Sequence, residues 1–292
     1  MKQMAVNSKD NRLTGCLIRI RGLHGLRGAQ RMAGEFILAH PYEAVDLSVG
    51  ELAAQAGVSP ATVVRLCQVL GFKGYADFRA ALAQDLAVQP RDIHAEISPQ
   101  DPPPVIVDKV FQVSAQALRD TRAILEVEQL LRAADLIQGA RRIDLYGAGG
   151  SGVVAQDMYH KLLTIGIFSH TSPDAHLQAM SASLLGPRDV ALAISHSGAT
   201  RETVEALATA KKAGAHTISV TNFSGSPITA VSDVVLLTAS PETTTKGYAT
   251  AARLAQLALL DALFMVVAFR EFEVSLEGIR RTSRGVEEKQ LR

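Results

Sequence analysis

The sequence predicts two domains, an all-helical head and a doubly wound α/β body with a five-stranded parallel sheet. Three observations carry that prediction. The chain has 292 residues, more than one ordinary domain needs. Apolar residues recur at helical spacing up to about residue 140, after which short β-branched runs alternate with helical ones. Between the two regimes lies VQPRDIHAEISPQDPPP, residues 88–104, with five prolines and the stiffness of an interdomain spacer. The expected boundaries are 12–88 for the head, 89–104 for the linker and 105–292 for the body.

The head reads as helices from about residue 14 to 87. Ala33, Phe36, Ile37 and Leu38 form one apolar patch. Pro41 disfavours the helical conformation at the residue before it, so that helix is expected to end at His40. Ser48 followed by Glu51 is a capping box, opening a helix that Gly57 stops. Ser59 caps the next helix, and Pro60 fills its first position, where no N–H is needed. That helix carries Val63, Val64, Leu66, Cys67 and Leu70 and ends at Gly71. A last helix covers 75–86.

After the linker, Val107, Val110, Phe111, Ser114, Ala117, Leu118, Thr121, Ile124 and Leu125 fall at helical spacing, and a second helix covers 127–138. Five strands follow, at 142–146, 167–170, 190–195, 217–221 and 234–238, joined by helices. A flavodoxin-like strand order is expected. A nearly apolar helix over 249–272 closes the body; a helix apolar all round is a buried one, in the sheet layer or at a homodimer interface. The charged tail 273–292 is expected to fray.

Bulk properties narrow the function. Apolar residues make up 47% and charged residues 20%, which fits a globular chain. The net charge of +1 divides unevenly: residues 1–90 hold 10 Lys and Arg against 7 Asp and Glu, and the rest hold 20 against 22. A basic front on an acidic back fits a nucleic-acid-binding head. Cys16 and Cys67 form neither a disulfide framework nor a metal spacing, as expected in a reducing cytoplasm. The first dozen residues lack the apolar stretch of a signal peptide. Residues 254–269, interrupted by Asp261, are too short for a membrane span. No membrane partner is expected.

The segment 48–70 has the mechanics of a helix-turn-helix: a short capped helix, a glycine turn and a second capped helix. In such units the second helix enters the major groove with its N-terminal residues at base edges, here Ser59, Ala61, Thr62 and Arg65. Arg binds guanine through two hydrogen bonds. Lys73, Tyr75 and Arg79 suit phosphate contacts, which position the protein without reading sequence, and Ser48 is counted with the DNA-binding residues. The run SVGELAAQAGVSPATVVRLCQVLGFKGYADFRAALAQDLA resembles the N-terminal domain of the RpiR/MurR family of regulators. Val58, Ser59, Thr62, Val63, Arg65, Leu70, Gly71, Phe72, Lys73, Gly74 and Tyr75 carry the resemblance; Leu66 stands where Phe is frequent. The resemblance implies a dimer on a palindromic operator in double-stranded DNA.

Two loops of the body carry chemistry. GAGGSG, residues 147–152, joins the first strand to a helix, and glycines let backbone N–H groups approach an anion. Gly147, Gly149 and Gly152 also match a dinucleotide fingerprint, which asks for an acid at the end of the second strand. His170, Thr171 and Ser172 stand there, with Asp174 too late, so no nicotinamide or flavin cofactor is expected. SHSGAT, residues 195–200, ends the third strand with three hydroxyls, a glycine and the start of a helix, a phosphate cradle without a P-loop lysine. Both loops lie at carboxyl ends of strands, where open α/β sheets bind ligands.

With SHSGATRETVEALATAKKAGAHTISVTN and ARLAQLALLDALF, these loops make residues 130–269 similar to a sugar isomerase (SIS) domain, the phosphosugar-binding module of aminosugar isomerases and RpiR-type regulators. The resemblance implies that Ser151, Ser195, Ser197 and Thr200 hold the phosphate; Gly149, Gly150 and Gly198 of the same loops are counted with the ligand-binding residues, as is His196, whose side chain either touches the ligand or points to solvent. It places Glu242 against sugar hydroxyls, with Lys246 assisting. TTTKGYATAAR departs from the commoner pattern, which has Ser before Arg253.

The function expected is a DNA-binding transcriptional regulator, not an enzyme and without a cofactor or metal, working as a homodimer or homotetramer under a sugar-phosphate effector. The alternative is a sugar-phosphate isomerase or lyase with an accessory head, using Glu202 or Glu242 as base. His160 and His176 read as surface residues.

Overall fold

The computed structural model describes residues 16–22, 26, 28–88, 97–98, 100–240 and 250–287. The chain divides into two compact units, 1–97 and 98–292.

The first unit holds α1 (Cys16–Gly22), α2 (Gly28–Ala39), α3 (Pro41–Asp46), α4 (Val49–Gln55), α5 (Pro60–Val69) and α6 (Tyr75–Val88). Local chemistry sets the borders. Ser48 caps α4 with the full reciprocal box: its hydroxyl accepts the Glu51 N–H, and Glu51 accepts the Ser48 N–H. Ser59 caps α5, accepting the Thr62 N–H at 3.2 Å. Gly57 (φ +67°) and Gly71 (φ +88°) end α4 and α5 in the left-handed region, where a side chain is strained. Ile37, Leu52, Val63, Leu66, Cys67, Phe78 and Leu82 fill the centre. One helix goes beyond expectation. Pro41 does not begin a loop; it occupies the first turn of α3, entered through His40.

The second unit opens with α7 (Pro103–Ile124) and α8 (Val127–Gly139). Pro103 and Pro104 lie in the first turn of α7, so the end of the expected linker is already helix. Asp101 fixes that start by accepting from the Ser98 N–H (2.8 Å) and Lys109 Nζ (2.7 Å). Then come β1 (Arg142–Gly147), α9 (Gly149–Thr164), β2 (Ser169–Thr171), α10 (Ala175–Ser183), β3 (Asp189–Ile194), α11 (Arg201–Lys212), β4 (His216–Thr221), α12 (Pro227–Ala230), β5 (Val234–Leu237), α13 (Thr250–Arg270) and α14 (Phe272–Glu287). The sheet is parallel throughout, in the order β2-β1-β3-β4-β5, the flavodoxin-like arrangement.

Strand alternation divides the core into two layers. Ile143, Leu145, Val190, Leu192 and Ile194 face α8, α9 and α13, meeting Ile137, Met158, Leu162, Leu259 and Leu263. Tyr146, Ala191 and Ala193 face the other way, against Ala182, Leu207, Ala210 and Ile228 of α10, α11 and α12.

α13 is long and apolar enough to cross a membrane by composition. Here Ala255, Leu259, Leu260 and Leu263 are buried in the body, while Met265 and Phe269 are exposed. α7 inverts a simple reading of its stripe. Its buried face is small and polar (Ser114, Ala117, Thr121), whereas Val107, Phe111 and Leu118 point outward. Thr121 joins α7 to the end of β5: its Oγ1 accepts the Ala239 N–H at 2.9 Å and lies 3.2 Å from the Ala239 carbonyl oxygen.

The charged tail does not fray over its described length. α14 seats Gly278 against the turn after α9, where a Cβ would lie 2.4 Å from the Ile165 carbonyl oxygen. Thr282 Oγ1 donates to the Thr164 carbonyl nearby (3.2 Å).

Candidate functional sites

In the head, α5 presents a continuous solvent face. Ala61, Arg65, Gln68 and Val69 are exposed at spacings of three and four, and Ser59 is exposed at its start. Thr62 is half-buried, with its hydroxyl 2.9 Å from that of Ser59, so this pair rigidifies the helix tip. Ser48, Lys73 and Arg79 are exposed.

Tyr75 corrects the sequence expectation. It is 8% exposed, and its hydroxyl lies 3.0 Å from the Ala44 and 2.8 Å from the Leu47 carbonyl oxygens. Its proton is therefore committed to the end of α3 and the residue that follows it, and Tyr75 braces that junction instead of meeting phosphate. Burial, the leading cause, raises the pKa of its phenol.

In the body, the two loops stand side by side because β1 and β3 pair directly, with Gly147 opposite Ile194. The glycine turn is tight: a Cβ on Gly147 would lie 2.7 Å from the Ser151 carbonyl oxygen, and Gly149 has φ +54°. α9 begins after Ala148, a residue without a side-chain acceptor, so its first N–H groups have no side-chain cap. Gln178, buried on α10, braces this turn by donating to the Gly147 (3.0 Å) and Ser172 (2.7 Å) carbonyls. Gly149 and Gly150 are exposed, and Ser151 is half-buried. The Arg253 guanidinium lies over Gly150, with Nη2 3.1 Å from where a Cβ would sit.

The hydroxyl loop folds on itself. Ser195, 2% exposed, accepts the Gly198 N–H at 3.1 Å and sits 3.1 Å from Thr200 Oγ1. Thr200 is the N-cap of α11, yet it makes no side-chain cap bond. Ser197 is exposed and accepts the Ala199 N–H (3.2 Å). Gly198 has φ +63° and carries its carbonyl to the Ile228 N–H (2.9 Å). The His196 ring stands edge-on to Phe223 with centroids 5.9 Å apart, and its carbonyl accepts the Asn222 N–H (3.0 Å).

α9 and α11 start without side-chain caps, as α3, α7, α8 and α12 also do, but these two starts lie side by side at the carboxyl ends of the paired strands β1 and β3. An uncapped helix start offers N–H donors and a positive dipole end to an anion.

Asp174 serves as a cap, its carboxylate accepting the Leu177 N–H. Glu202 is exposed in the first turn of α11, where the dipole accounts for it. His160 and His176 are exposed. Glu242 and Lys246 lie outside the described residues. Sequence reasoning missed Gln178, which no local signal distinguishes from any helical Gln. It met Arg253 only as the end of an unusual segment.

Comparison with known proteins agrees with both halves. The helix-turn-helix domain of the rpiR family matches residues 18–89, and the SIS domain matches 136–266. An uncharacterised helix-turn-helix-type regulator of Bacillus subtilis is 37% identical over 281 residues, covering 96% of this chain and 99% of its own. The regulator RpiR of Escherichia coli K12 is 37% identical over 80% of this chain and 79% of its own. The solved structure of Vibrio vulnificus NanR, in complex with ManNAc-6P, superposes with a TM-score of 0.63 at 30% identity, covering 95% of this chain and all of that one. The chain belongs to the RpiR family of helix-turn-helix transcriptional regulators.

Proposed function

We propose that the body binds a phosphorylated sugar at the paired starts of α9 and α11, and that this binding sets the affinity of the head for its operator. The observation that carries the reading is the pair of uncapped helix starts beside Ser195, Ser197 and Thr200. A phosphate meets backbone N–H groups, hydroxyls and two helix dipoles there, each favouring negative charge. The assigned contacts are Gly149, Gly150, Ser151, Ser195, His196, Ser197, Gly198 and Thr200. NanR supports the ligand class, being bound to ManNAc-6P.

On the DNA side, Ser59, Ala61, Thr62 and Arg65 read bases, and Ser48, Lys73 and Arg79 meet phosphates. Tyr75 drops out of that set. The outward apolar residues of α7, Val107, Phe111 and Leu118, support a homodimer or homotetramer, and such symmetry fits a palindromic operator. The protein acts in the cytoplasm and turns nothing over. Coupling requires the sugar phosphate to bind one of two DNA-affinity states better than the other.

Two variants test the reading. Ser197→Ala is expected to lose its response to a panel of hexose, pentose and amino-sugar phosphates while binding operator DNA normally. Arg65→Ala is expected to keep that response and lose roughly 1–3 kcal/mol of operator affinity. Normal induction in the first variant, or full operator affinity in the second, refutes the corresponding half. Sustained turnover of any panel member by the wild-type chain would favour the isomerase alternative.

A further inference from the structure

Among the described residues, none compensates the charge of Arg253. It lies in the first turn of α13, where the helix dipole opposes a cation. It makes no ion pair among the described residues, and its Nε is buried without a hydrogen-bond partner. The residue is partly buried and its guanidinium covers Gly150, with Nη2, Nε and Cζ at 3.1, 3.6 and 3.7 Å from the position of a Cβ. Gly150 is the second residue of α9, at its uncapped start. A guanidinium with a buried and unpaired Nε and no counter-charge is uncompensated, a state proteins keep where a ligand completes it.

Other buried polar atoms repeat the pattern. Thr203, fully buried in the first turn of α11, has a hydroxyl with no partner among the described residues. Gln256, 2% exposed and three residues after Arg253 on the same side of α13, has an amide nitrogen in the same condition. Polar groups left unsatisfied inside a folded chain are few, and each asks for a reason.

We infer that Arg253 is the cationic arm of the sugar-phosphate site, donating from its guanidinium to the phosphoryl group held at the start of α9. The inference rests on the site reading above and adds a selectivity to it. Hydroxyls and backbone amides accommodate neutral or singly charged groups, whereas an uncompensated guanidinium demands an anion. The unphosphorylated parent sugar is therefore excluded by charge as well as by lost hydrogen bonds.

The test uses the full chain and inorganic phosphate as probe, read as thermal shift against phosphate concentration at constant ionic strength. The variants are Arg253→Met, which keeps the aliphatic stem, Arg253→Lys, which keeps the charge, and Ser197→Ala. The expected result is phosphate affinity reduced tenfold or more in Arg253→Met and largely kept in Arg253→Lys. The ligand-free Tm of Arg253→Met should equal or exceed that of the wild type, because an opposed and unpaired cation has gone.

A fall in that ligand-free Tm would mark Arg253 as a packing residue and overturn the inference. Wild-type phosphate affinity in Arg253→Met, with loss in Ser197→Ala, overturns the inference and leaves the site standing. Loss in Arg253→Met with full affinity in Ser197→Ala supports the role of Arg253 and refutes the hydroxyl cradle. A wild-type chain blind to phosphate refutes both.

Discussion

Gly198 is the residue on which the hydroxyl loop turns, and comparing its replacement by alanine with that of Gly149 separates two costs that usually travel together. A Cβ at Gly198 would lie 2.0 Å from Ser226 Oγ, 2.5 Å from Ser226 Cβ and 2.8 Å from Thr221 Oγ1. Neither neighbour yields freely. Ser226 is 5% exposed and donates to the Phe223 carbonyl at 2.8 Å, and Thr221 Oγ1 donates to the His196 carbonyl at 3.2 Å. The backbone adds its own penalty at φ +63°, about 1–2 kcal/mol for any L side chain. Forced overpacking adds about 1–3 kcal/mol, for a total of about 2–5 kcal/mol. Gly149 provides the control. It has φ +54° but nothing within 4 Å of its Cβ position, so Gly149→Ala carries only the backbone cost of about 1–2 kcal/mol. For a unit of this size those figures correspond to Tm decreases of about 4–20 °C for Gly198→Ala and about 2–8 °C for Gly149→Ala. Scanning calorimetry of the full chain measures both. Equal decreases would refute the claim that the loop is packed against Ser226 and Thr221.

Three further outcomes are expected. The guanidinium of Arg141, bonded to Asp189 at 2.8 and 2.9 Å, holds that buried carboxyl below its ordinary pKa, helped by the Gly186 N–H. A depressed folded-state value means stability present above the unfolded Asp value of about 3.9 and lost as pH falls through the lower folded one. Asp189→Asn should thus cost about 1.5–3 kcal/mol in urea at pH 7 and flatten the acid limb of the stability curve; an unchanged limb would refute it. Burial pushes the Cys67 thiol up to about 12, so neither it nor buried Cys16 should react with a disulfide reagent at pH 8 until denaturant is added. Tyr75→Phe leaves the Ala44 and Leu47 carbonyls short of a donor and should destabilise the head by about 1–3 kcal/mol, with operator affinity of the folded protein unchanged. A loss of affinity would return Tyr75 to the DNA-contacting set.

Legibility in the sequence follows the range of the physics. Caps and stops act within four residues, so Ser48, Gly57, Ser59 and Gly71 mark their helix borders correctly before any fold is known. The strands are short β-branched runs between helical ones, and a parallel sheet with helices on both faces follows from that alternation. α3 escaped because a proline ends one helix and begins the next with the same residue. The structure of α14 depends on Gly278 meeting Ile165, a contact between segments far apart in sequence. Tyr75 shows the same limit inside the site. An aromatic hydroxyl next to basic residues suits a phosphate, and only the folded end of α3, at Ala44 and Leu47, reveals that it is engaged elsewhere. Gln178 and Arg253 act on glycines of a distant turn, through partners that sequence spacing does not bring together.

The stitch from Thr121 to Ala239 has a consequence for how the molecule is born. Its two ends are 118 residues apart, and the later one belongs to the segment that leaves the last strand. At translation speeds of about 5–20 residues per second, some 6–24 s separate the emergence of one end from that of the other. During that interval the head, made first, has every residue it needs to fold, while the helix that follows the linker still waits for its anchor. The nascent chain therefore completes its head while the body still lacks the strand end that ties down its first helix.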